Sequence, residues 1–174
     1  MAGDFAEHGF DRAHLLRVIL NSRTYQASSR PTLANAEDRR LFSHFQPRLL
    51  SAEQLLDAVC RVTGLTESFK GLPAGTRATA LPSPQMNHAF LKTFGQPSRN
   101  TACTCERATE PQLAQALEFL SGKLVHGKLE SANNRFRKGM AAGNSDHEIV
   151  RELYWTALSR PPSTGELTSA RRHI

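Results

Sequence analysis

Two cysteines one residue apart, Cys103-Thr104-Cys105, run directly into Glu106 and Arg107, and these are the side chains best suited to chemistry. A Cys-x-Cys pair can bring two thiolates to one soft metal ion. A structural zinc site needs four ligands, usually from two separated pairs, and no second pair is present. His88, His126 and His147 are candidate fillers that nothing in the sequence brings together. A redox or nucleophilic thiol needs a lowered pKa, which Arg99 or Arg107 can supply, together with a base and an orienting partner. Packed or locally bridged structural thiols are the third reading, and all three stay open. Cys60 lies in an apolar helical stripe, where a free thiol behaves as a small hydrophobe. No Gly-x-Ser-x-Gly, phosphate loop or His-Glu-x-x-His is present. No catalytic residue, metal or cofactor is therefore assigned to this chain.

Arginine is the second resource. Arg77, Arg99 and Arg107 fall in irregular segments and can converge on a carboxylate or sulfate, as of an anionic glycan, because the guanidinium fork matches such groups. They can equally pin loops by pairing with Glu106, Glu110 or Asp57, and the structural role is favoured. Lys and Arg number 22 against 16 Asp and Glu, with a pI near 9.7. That balance attracts polyanions. The arginines are scattered rather than clustered, which argues for a solvated surface and against nucleic-acid binding.

The elements that must position these residues read as helices. Asp11 is a suitable N-cap for a helix carrying Leu15, Ile19 and Ser22 on one face. Residues 35–45 form a shorter helical candidate bearing Leu41, Phe42 and Phe45. Ser51 and Gln54 form a capping box before the stripe Leu55, Val59 and Val62, with Gly64 as the stop. A short turn carries Phe90, Leu91 and Phe94. Thr109 and Gln112 announce a helix with Leu113, Leu117 and Leu120. A following stretch with Leu124, Val125, Leu129 and Phe136 is weakened at Gly127 and Asn133-Asn134. Ser145 with Glu148, and Ser163 with Glu166, open two more helices, the first stopped by Pro161 and Pro162.

The expected class is all-α, an irregular multi-helix domain with two long ordered loops at about 65–88 and 95–108. At 174 residues the chain suits a single domain, 1–174. The abrupt ends read as an excised C-terminal fragment of a longer multidomain protein. No segment reads as a signal peptide, and no run approaches the ~18 apolar residues of a spanning helix, so membrane insertion is not expected.

Several phrases in this order, "LLRVILNSRTYQASS", "RLLSAEQLLDAVCRVTG", "LPAGTRATALP", "FLKTFGQPSRNTACTCER" and "IVRELYWTALSRPPSTGEL", carry a family likeness. Together they resemble the planctomycete-type C-terminal domain of unknown function found in large secreted proteins. That domain usually follows a second domain of unknown function and often shares its chain with a planctomycete cytochrome-C-like domain. The resemblance implies a helical, extracytoplasmic module whose partners are other domains of the parent protein. Its characteristic stretches include Asn21 to Tyr25, Gly75 to Ala78, Arg99 and Cys103 to Arg107. The candidate cluster is thus Arg23, Arg77, Arg99, Cys103, Cys105, Glu106 and Arg107.

Oxidising surroundings, which the resemblance implies, favour disulfides. A Cys103–Cys105 ring is small and strained. Cys60 with one of the pair is the easier bridge if the third helix packs against that loop. Two functions compete: a non-catalytic docking or partner-binding module, and part of an enzyme or redox assembly acting on anionic polysaccharide. The second places its site near the Arg77 and Cys105-Glu106-Arg107 loops.

Overall fold

The computed structural model describes residues 1–82, 87–96 and 113–172. Among these residues every α-element is a helix and no strand occurs, so the chain is all-α with irregular loops. It divides into two compact units, residues 1–49 and 50–174.

In the first unit, α1 (Ala2–Glu7) and α2 (Arg12–Leu20) form a short hairpin. Asp11 caps α2 by accepting from the Ala13 amide at 2.8 Å. Leu15, Ile19 and Ser22 are the half-buried face expected from their spacing. His8, which ends α1, stacks on His14 of α2 with ring centroids 3.7 Å apart.

The helix expected over 35–45 does not form. The Asp38 carboxylate instead accepts from the amides of Arg40, Leu41 and Ser43 and from the Ser43 hydroxyl. A short acidic side chain that satisfies three following amides offers the backbone an alternative to the helical ladder. The same donors, the Ser43 hydroxyl first, hold this carboxyl well below the usual carboxylate range.

The second unit is built around α3 (Ala52–Thr63), which opens on the expected Ser51–Gln54 capping box and stops at Gly64 in the left-handed region. Around it pack a 3-10 turn (Ala78–Ala80), α4 (Ala89–Thr93), α6 (Lys123–Glu130), α7 (Arg135–Ala141) and α8 (Asp146–Leu158). Ala52 and Leu56 of α3 meet Phe69, Ala78, Phe90, Leu91 and Val125 in the core. Leu55, Val59 and Val62, the stripe expected to face inward, are only half-buried. The reason is that α3 is wrapped on several sides, so its most buried line runs through Ala52, Leu56 and Thr63. The buried Thr63 hydroxyl is satisfied by donating to the Val59 carbonyl at 2.8 Å.

Phe90 of α4 and Phe94, the residue that ends it, hold α5 (Leu113–Ser121) through Phe119, with Phe94 and Phe119 edge-on at 5.3 Å. The weakness read at Asn133-Asn134 is a true break between α6 and α7. The buried Asn134 caps α7 by accepting from the Arg137 amide at 2.8 Å, while its amide group donates to the Leu129 carbonyl at 2.6 Å. Capping boxes open α8 at Ser145–Glu148 and α9 (Thr164–Arg171) at Ser163–Glu166, as their spacing requires. Among the described residues no helix is long and apolar enough to cross a membrane.

Candidate functional site

The C-terminal half of α3 and the segment Gly75–Thr79 line an open cleft of ≈ 540 Å³. Asp57, the sixth residue of α3, organises one wall. Its Oδ1 accepts from the Ala78 amide at 2.7 Å. Its Oδ2 accepts from the Thr79 hydroxyl at 2.7 Å, the Thr79 amide at 3.3 Å and Arg77 Nε at 3.2 Å. A largely buried carboxylate thus caps the 3-10 turn, where unpaired amides and the positive end of the backbone dipole converge. Among the described residues Arg77 pairs with Asp57, one of the partners the sequence offered; Glu106 and Glu110 lie outside them. The Arg77 side chain is otherwise 73% exposed and reaches into the cleft beside Arg61.

The far end of α3 is closed by two cations from later helices. Arg135 Nη2 donates to the Arg61 carbonyl at 3.1 Å and Nη1 pairs with Glu152 at 2.8 Å. Lys128, only 7% exposed, donates to the Leu65 and Thr66 carbonyls, both at 3.2 Å, and pairs with Glu67 at 3.1 Å. Free carbonyls at a helix C-terminus favour such cations. Glu67 also faces His88 Nε2 at 4.0 Å. His88 Nδ1 in turn accepts from the Leu91 amide at 3.5 Å and caps α4. Burial pushes the His88 pKa down, with Glu67 opposing and Lys128 assisting.

Cys60 opens onto the cleft as a free thiol. Burial raises its pKa, and Lys128 only partly offsets this. The thiolate is the nucleophilic form, so this environment favours an unreactive thiol. The cleft thus carries the guanidinium groups of Arg61, Arg77 and Arg135 with the carboxylates of Asp57 and Glu67, both already engaged by neighbouring donors, and the exposed part of Arg77 is able to meet an anion.

Of the sequence-predicted cluster, Arg77 lines this cleft and Arg23 is exposed in the loop after α2. Arg99, Cys103, Cys105, Glu106 and Arg107 lie outside the described residues, as does the Thr109 cap. Reasoning from sequence missed Lys128 and Glu67, and it weighed Arg135 only within the tract Arg135 to Lys138, as an anion contact or, by preference, a solvated helix end. Lys128 had a readable signal, since it falls at helical spacing on the face of Leu124 and Val125, where a lysine must find partners if it is buried. The Arg135 contact with α3 had none, because it is made to a backbone carbonyl 74 residues away.

Residues 1–174 match one family model, PSD1: Protein of unknown function (DUF1553). No curated protein matches the chain, and no solved structure matches it.

Proposed function

The chain belongs to the PSD1 family of proteins of unknown function (DUF1553), and from that premise we propose that it is a docking module for other domains of its parent protein. The observation that carries this reading is the surface of residues 1–49. No side chain in that unit is buried, yet Phe10, Leu16, Leu33, Leu41, Phe42 and Leu49 are all more than half exposed. Apolar surface on this scale marks interaction sites. Phe10 and Phe42 are also held at φ 60° and 54°, a left-handed region that costs a bulky residue of order 1–2 kcal/mol. Strain maintained at two exposed aromatics is a pointer to function. The unit carries seven arginines against five carboxylates, so the complementary partner is an apolar protein surface with acidic groups at its rim. The family likeness supports an extracytoplasmic, planctomycete-type parent as the setting.

The test supplies the adjoining domains of the parent as a separate chain and measures association by calorimetry. Phe10→Gly and Phe42→Gly fit the observed backbone, so they should leave thermal stability nearly unchanged while weakening association at least about tenfold. Association that survives both substitutions would remove the proposal.

A second reading rests on Arg61 and Arg77 facing one cleft: an anionic polysaccharide held there as part of an enzyme assembly. Binding of a sulfated or uronate oligosaccharide, abolished by the pair Arg61→Ala and Arg77→Ala, would favour it.

A further inference from the structure

The α1–α2 hairpin brings together three side chains that neither the cleft nor the docking surface uses. Asp4 and His8 are four residues apart and so share one face of α1. His14 comes from α2 across the turn. His14 Nε2 lies 3.1 Å from Asp4 Oδ2, and His8 Nδ1 lies 3.6 Å from Asp4 Oδ1. One donor atom from each of the three falls within 4.8 Å of the others.

We propose that Asp4, His8 and His14 bind a late first-row divalent cation, with zinc the best-suited species. Two imidazoles and one carboxylate match zinc, nickel or copper, whereas calcium and magnesium prefer all-oxygen sets. Zinc bonds of ~2.0–2.2 Å require the donor atoms to close in by about an ångström. The imidazole lone pairs lie in the ring planes, so the 3.7 Å stack of His8 on His14 must open as the ion enters. His8 Nδ1 donates to the Asp4 carbonyl at 2.8 Å, so that nitrogen carries the ring proton and the lone pair left for a metal is on Nε2, which the His8 ring must turn toward the Asp4 carboxylate as the stack opens. The remaining coordination positions face water, since none of the three residues is buried.

A second observation supports a metal here. The unit of residues 1–49 has no buried side chain, and units of that size usually need a metal, a disulfide or a partner to hold their shape. An ion shared by α1 and α2 would tie the hairpin without a core.

The experiment uses the whole metal-free chain. Zinc added to labelled protein should shift the imidazole resonances of His8 and His14 in proportion to the amount added, leaving those of His147 unmoved. Cobalt(II) should bind without the intense sulfur-to-metal absorption that thiolate ligands give, which separates this site from the cysteines. Asp4→Asn and His14→Gln should each weaken binding at least about tenfold. Unmoved His8 and His14 resonances at saturating zinc would overturn the proposal, as would affinity unchanged in both variants or binding seen only with the thiolate absorption. The resonance measurement needs no variant, so a substitution that impairs folding leaves the result readable.

Discussion

Asp57 shows how one side chain can define a segment. Its carboxylate takes four donors from Arg77, Ala78 and Thr79, and its side chain is 11% exposed. Removing it leaves two amides and a hydroxyl short of an acceptor, at about 1–3 kcal/mol for each buried group left unpaired. Asp57→Ala should therefore lower stability by about 2–4 kcal/mol and speed amide exchange at Ala78 and Thr79, whereas Arg77→Ala should cost under about 1 kcal/mol, because that guanidinium is mostly in water. Equal losses from the two substitutions would show that the ion pair, not the turn cap, is what matters. Asp57 as a partner of Arg77 was readable from sequence, since a loop arginine needs a carboxylate. That the backbone amides beside Arg77 are the main customers of the carboxylate was not, because backbone donors look alike in every sequence.

At the scale of elements, helices were legible where a described cap and an apolar period agreed. Ser51–Gln54, Ser145–Glu148 and Ser163–Glu166 each begin a helix at the expected residue. The failure at 35–45 has the same cause as these successes. Asp38 can serve the amides that follow it in a turn as well as a cap serves a helix, and its apolar neighbours Leu41 and Phe42 find no core to reward helical spacing. Two tests belong here. Ser51→Ala should cost about 1 kcal/mol by loss of the cap. Lys128→Ala should cost about 3–5 kcal/mol, since it strands Glu67 and two carbonyls in a partly buried place. Urea denaturation measures both, and a smaller loss at Lys128 than at Ser51 would mean that water replaces the ammonium without penalty.

At the scale of the molecule, His88 couples folding to pH. Its pKa is lowered by burial, so the unfolded chain, with an imidazole near 6.5, takes up a proton that the folded chain resists. This contribution to stability is complete above about pH 6.5 and declines as the pH falls below it. The urea midpoint should therefore drop between pH 7.5 and 5, and His88→Gln should flatten that drop; identical slopes would show that His88 is not the group responsible. The family and the helical class were recoverable from phrases spread along the chain. The meeting of α3 with Lys128 and Arg135 was not, as those partners stand 63 and 74 residues from the carbonyls they close. That separation has a consequence for the order of events during synthesis. The end of α3 leaves the ribosome long before the groups that satisfy it, so the helix must wait, frayed, until α7 has emerged. Nascent chains released before residue 135 should stay sensitive to protease near Arg61, and those long enough to include α7 and α8 should become resistant.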